Sequence, residues 1–198
     1  MKKITLITLF VALCITANAQ SFVKGQKDIN IGIGFGTSFY SSTYNSTIPP
    51  LSFSFDVGIT DEISLGGYLG FAGASWRYTS TEWCNIPGSG GPNFYNYTDE
   101  YDYTYTIVAL RGAYHFAKFI PHDNIDVYGG LLLGYNIVRY KFSTTSACAG
   151  HISLSGSGSA GVFSIFGGMR YRFNEKFGIF TELGYGISYV TIGLSIKM

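Results

Sequence analysis

From Ile29 onward, apolar and small or polar residues alternate one by one. Ile29, Ile31, Ile33 and Phe35 are interleaved with Asn30, Gly32, Gly34 and Gly36. Leu51, Phe53, Phe55, Val57 and Ile59 are interleaved with Ser52, Ser54, Asp56, Gly58 and Thr60. Near the C-terminus, Val190, Ile192, Leu194, Ile196 and Met198 alternate with Thr191, Gly193, Ser195 and Lys197. A period of two sends successive side chains to opposite faces of a β-strand. Eight segments carry this pattern: about 28–40, 50–60, 62–79, 100–117, 124–143, 152–173, 176–187 and 189–198. Their connections alternate in length. Thr60-Asp61-Glu62, Lys118 to Asp123 and Asn174-Glu175-Lys176 are short, whereas 41–49, 80–99 and 144–151 are longer and rich in Ser, Thr, Asn and Gly. No segment of useful length reads as helix. The expectation is an all-β chain of eight antiparallel, up-and-down strands.

Two architectures use such strands. A soluble sandwich buries the apolar faces between two sheets. A transmembrane β-barrel turns them to lipid and fills its lumen with polar groups. The chemistry of the polar face separates the two. It holds Gly, Ser and Thr mixed with Asp56, Arg111, Arg170, Arg172, Glu182 and Lys197. A sandwich exterior would carry abundant Lys, Glu, Thr and Gln. A narrow lumen needs small residues for space and paired charges to fill it. Segments of ten or more residues also match a tilted membrane-spanning strand of about 9–11 residues.

Composition agrees. The chain has 198 residues, of which 13% are charged and 17% aromatic, with 16 Tyr, 16 Phe and 26 Gly. Mean hydropathy is only +0.20. That charge content is about half the usual soluble share, and so many rings argue against disorder. With 13 basic and 12 acidic residues, no basic excess exists for nucleic acid. Residues 1–19 read as a signal peptide: Lys2 and Lys3, an apolar run from Ile4 to Ile15, then Ala17-Asn18-Ala19 as the cleavage site. Residues 20–198 form the expected barrel domain. Later in the chain, no uninterrupted apolar run reaches the length of a membrane helix.

The stretches Ile125-Asp-Val-Tyr-Gly-Gly-Leu-Leu-Leu-Gly-Tyr135, Gly167-Gly-Met-Arg-Tyr-Arg-Phe173, Phe180-Thr-Glu-Leu-Gly-Tyr-Gly186 and Gly193-Leu-Ser-Ile-Lys-Met198 resemble the small outer-membrane barrels of the OmpA, OmpX and opacity-protein type. The resemblance covers the whole mature region. It implies an eight-stranded barrel in the bacterial outer membrane, surrounded by its lipids and inserted by the barrel assembly machinery. The last stretch resembles the insertion signal that this machinery reads, with Met198 where Phe usually stands. Eight strands put both mature termini in the periplasm and the long loops outside. The resemblance implies no single activity, because such barrels serve as adhesins, stabilisers, enzymes and narrow pores.

Chemical motifs are few. Gly156-Ser-Gly158-Ser-Ala-Gly161 matches a dinucleotide fingerprint in letters, but no helix follows it. His115, His122 and His151 lack metal-ligand spacing. His151, in an outer loop beside Ser143, Ser146 and Ser153, is the single candidate for an outer-leaflet lipid enzyme. No catalytic residue, cofactor or metal is expected. Asp56, Arg111, Asp126, Arg170, Arg172, Glu182 and Lys197 share the inward parity and form the expected lumen charge network. Cys84 and Cys148 fall in neighbouring outer loops of an exported chain, which favours a disulfide over free thiols. Tyr95, Tyr97, Tyr101, Tyr103 and Tyr105 continue the parity of Arg111, with Trp76 and Tyr78 on the preceding strand and Tyr140 and Phe142 on the following one. They form either a stiffening core or an exposed binding face. The function expected is a structural or surface-interaction barrel with an extracellular protein or surface ligand as partner. A narrow passive pore and the His151 enzyme are the alternatives.

Overall fold

The computed structural model describes residues 22–37, 39, 44–86, 90–116, 119 and 122–198. The proposed signal peptide lies outside these residues. Eight strands follow one another: β1 (Lys27–Phe35), β2 (Asn45–Gly58), β3 (Ile63–Cys84), β4 (Asn93–His115), β5 (Ile125–Thr144), β6 (Ser153–Arg172), β7 (Phe177–Gly184) and β8 (Val190–Lys197). Each pairs antiparallel with its neighbours in chain order, and β1 pairs with β8, which closes the ring. The chain is an eight-stranded up-and-down β-barrel.

The barrel is inside out relative to a soluble one. Leu65, Leu69, Val108, Leu110, Leu131 and Leu133 stand exposed on its outer wall, while Asp28, Asp56, Arg111, Asp126, Arg170 and Arg172 are buried. Large apolar side chains facing outward over a continuous band are solvated by hydrocarbon, not by water.

The wall is uneven. β3 to β6 are 22, 23, 20 and 20 residues long. β1, β7 and β8 have only 9, 8 and 8. The region 80–99, read from its polar composition as a loop, is mostly strand: Cys84 pairs with Asn93 and only 85–92 connect β3 to β4. Cross-strand pairs such as Trp83–Phe94 and Thr81–Asn96 sustain the ladder there. Likewise β2 begins at Asn45, inside the stretch read as the loop 41–49. At the opposite end, residues 22–26 fold across the barrel mouth. Gly25 N–H donates to Gly58 C=O (2.9 Å), Gly58 N–H donates to Gln26 C=O (2.8 Å) and Lys24 N–H donates to Asp61 Oδ1 (2.8 Å).

Candidate functional site

Inward parity brings nine polar groups from six strands into one lumen, where three arginines meet four carboxylates. Arg170 Nη1 donates to Asp28 Oδ2 (2.7 Å) and Asp126 Oδ2 (3.2 Å), and its Nη2 donates to Asn30 Oδ1 (3.3 Å). Arg172 Nη2 donates to Asp28 Oδ1 at 2.9 Å. Arg111 Nη2 donates to Glu182 Oε1 at 2.7 Å, and its Nε lies 3.2 Å from Asp56 Oδ1. The Tyr128 hydroxyl donates to Glu182 Oε1 at 2.9 Å. Arg111 also lies over the Phe166 ring, 4.3 Å from its centroid. Low dielectric makes each unpaired charge expensive, so density and pairing go together. Space comes from missing side chains: a Cβ on Gly168 would stand 2.6 Å from Tyr128 Cζ, and one on Gly193 would stand 2.6 Å from Phe180 Cε1. A cavity between Tyr68, Arg111 and Glu182 measures about 20 Å³, room for about one water molecule.

Near the mouth closed by residues 22–26, Ser64, His115 and Asp126 stand in a row. His115 Nδ1 donates to Asp126 Oδ1 (2.8 Å), and the Ser64 hydroxyl faces His115 Nε2 at 3.0 Å. All three are buried, and Phe22 stacks on the imidazole at 3.6 Å between centroids. The row resembles a nucleophilic triad in composition. Here Asp126 is shared with Arg170 and the imidazole face is covered, so the arrangement belongs to the lumen packing.

At the other end, the inner face of the long sheet carries the aromatic residues in three tiers. The lowest is covered: Phe39 stacks on Tyr105 and Tyr44 meets Tyr103 edge-on. Burial among neighbouring phenols holds the Tyr103 hydroxyl above its ordinary pKa. In the middle tier, Trp76 contacts Tyr78 and Tyr101, and Tyr101 contacts Phe142. This tier is open: Tyr78 and Tyr140 are 47% and 45% exposed, because β7, β8 and β1 end below it. The highest tier holds Tyr95 and Tyr97, both half-buried. Near them the loop 145–152 is fastened to the tip of β3. Cys84 and Cys148 are joined as a disulfide with Cα atoms 6.1 Å apart, and the Ser146 hydroxyl donates to Glu82 Oε1 at 2.6 Å.

The long sheet also has free edges. The β6–β7 pairing runs only from Phe166–Gly184 to Arg172–Gly178. Among the described residues, β6 from Ser153 to Ile165 therefore has no partner on that side. β3 beyond Ser75 is equally free of β2.

Three comparisons bear on the chain. No family model matches it, and no curated protein does. Among solved structures, it is similar to Ail, the attachment invasion locus protein of Yersinia pestis, at 16% identity, 88% of this chain, 96% of that chain and a TM-score of 0.46. It is also similar to the N-terminal β-barrel domain of Pseudomonas aeruginosa OprF, at 12% identity, 88% and 98% coverage and a TM-score of 0.46. The strand register, not this likeness, carries the description of the barrel.

Of the residues named from sequence, Asp56, Arg111, Asp126, Arg170, Arg172 and Glu182 meet in the lumen network. Lys197 makes none of these direct contacts. It lies half-buried at the rim opposite Asp28 and forms no ion pair among the described residues. His151 is exposed, with φ at 53°. The central acid, Asp28, was missed, although its even number shares the inward parity of Asn30. It fell at the boundary of the first segment, where the alternation had just begun. Glu82 was missed because its stretch read as loop.

Proposed function

We propose that this chain is an integral protein of the bacterial outer membrane, with both termini in the periplasm, whose plugged barrel holds a rigid β-sheet outside the cell as a surface-interaction platform. It is not an enzyme on this reading, and its lumen does not conduct. The observation that carries the proposal is the open middle tier of the long sheet, Trp76, Tyr78, Tyr101, Tyr140 and Phe142, beside the free β6 edge. Clustered exposed aromatics on a rigid support suit an interaction surface. A free edge without charge, Pro or bulge offers backbone groups to an extended partner segment. The disulfide and the Glu82 contact stiffen the tip, which reduces the entropy lost on binding.

The test is adhesion of cells displaying the protein to immobilised host, matrix and envelope components. Tyr78→Ser/Tyr140→Ser removes the open rings, and Ser157→Pro blocks the edge. Both variants should keep the heat-dependent gel shift of a folded barrel and lose adhesion. Adhesion at the wild-type level in both variants refutes the platform. A stable channel in planar bilayers refutes the plugged lumen.

A further inference from the structure

Behind the aromatic face, on the opposite side of the same sheet and at the same height, one strand changes chemistry within a single step. The outward residues of β5 climb through Leu131, Leu133, Tyr135 and Ile137, then become Arg139 and Lys141. On the neighbouring strands Arg139 stands opposite Thr104 and Ser157, and Lys141 stands opposite Asp102 and Ser155. Among the described residues no ion pair engages either cation, whereas Arg77 on β3 is paired with Glu100. Asp102 offsets part of the charge and leaves a net positive groove of about 560 Å³ lined by these residues. A second groove lies on the same face where β6 parts from β7. It is lined by Phe163, Ile165, Leu183 and Tyr185 and measures about 770 Å³.

We infer that these two grooves form one binding site for a phosphate-bearing lipid of the outer leaflet, with the phosphate held between Arg139 and Lys141 and an acyl chain lying in the groove between β6 and β7. The inference rests on the outer-membrane reading above. Height supports it. Arg139 is four residues above Tyr135, about 13 Å along the strand. With a barrel strand's tilt this is about 10 Å along the normal, the level of the headgroups above an interfacial tyrosine. Phe163 is six residues below Ser157, about 20 Å along the strand, which is acyl-chain depth. Charge supports it as well: Arg forks onto phosphate oxygens, Lys adds a point charge, and Ser155 and Ser157 offer hydroxyl donors. A lipid is favoured over a free anion because the apolar groove lies lower on the same outer face of β6, at hydrocarbon depth beneath the cations.

The test uses the full mature chain folded into phosphatidylcholine nanodiscs. Native mass spectrometry follows retention of a bisphosphorylated acylated disaccharide, its dephosphorylated counterpart and inorganic phosphate. The wild type should retain one copy of the phosphorylated lipid. Arg139→Gln/Lys141→Gln should bind it at least tenfold more weakly, the size expected for losing a charge-assisted contact. Lys27→Gln/Lys176→Gln, which removes two cations from the other end, should bind it as the wild type does. Equal binding by the Arg139/Lys141 variant, equal binding of the dephosphorylated lipid, or equally tight binding of inorganic phosphate alone overturns the inference. A chain that folds by its gel shift but does not enter nanodiscs refutes the outer-membrane reading instead.

Discussion

Replacing Asp28 by Ala should be among the most damaging single changes in the barrel. Its carboxylate accepts from Arg170 Nη1 (2.7 Å), Arg172 Nη2 (2.9 Å) and Gln26 Nε2 (2.7 Å). The overall charge balance is not the reason, since Asp56, Asp126 and Glu182 would still face three arginines. Position is the reason. Arg170 keeps Asp126 and Asn30, but Arg172, which is fully buried, keeps no ion pair among the described residues. Leaving a buried charge without its partner costs about 3–5 kcal/mol. That is a large share of a total stability of about 5–15 kcal/mol. With a urea dependence of about 2 kcal/mol per molar, the unfolding midpoint falls by about 2 M. The assay is urea titration of refolded protein in micelles, with the compact fraction read from unboiled gels. Asp28→Leu/Arg172→Met removes both partners and should recover at least about 2 kcal/mol relative to the additive expectation. A loss below about 1 kcal/mol for Asp28→Ala, or strict additivity in the double variant, would refute the claim that pairing governs the lumen.

Gly168→Val forces a methyl group against the Tyr128 ring and should cost about 1–3 kcal/mol in the same titration, with Gly167→Val, where the nearest atom is 3.9 Å away, as the tolerated control. Reducing the Cys84–Cys148 bond should leave the gel shift of the barrel unchanged while making the 145–152 loop sensitive to protease, as checked by mapping the cleavage sites. If reduction abolishes the gel shift, the bond supports the barrel and not the tip. In planar bilayers the purified protein should give no steady conductance, because buried ion pairs cross the lumen and the cavity beside Arg111 and Glu182 holds about one water. Permeation of sugars would contradict that packing.

The strands and their inward and outward faces were readable because a period of two is short and each segment repeats it several times. Asp56 and Arg170 could be assigned to the lumen from parity alone. Which carboxylate meets which guanidinium could not be read, since that depends on the stagger around a closed ring. Asp28 shows the difficulty: it meets Arg170 across 142 positions of chain. The strand extensions misled for another reason. Residues such as Thr81, Asn96 and Thr98 have loop-like composition, yet their hydroxyl and amide groups pair across the hairpin in a ladder exposed to water. The open state of Tyr78 and Tyr140 depends on how short β1, β7 and β8 are, a comparison between strands that no single segment contains.

The seam between β1 and β8 also sets the order of events during assembly. Asp28 stands opposite Lys197 in the strand register, and Met198 N–H donates to Lys27 C=O at 2.9 Å. The ring therefore joins residues from nearly the whole span of the chain, a separation that slows folding. Until that contact forms, β1 and β8 each present an unpaired edge, which hydrocarbon does not tolerate. Partial barrels are thus not stable resting points in the membrane. Closure must be close to all-or-none, and a delay in it would expose two adhesive strands at once, so the slowest contact to form is also the one whose failure most favours aggregation.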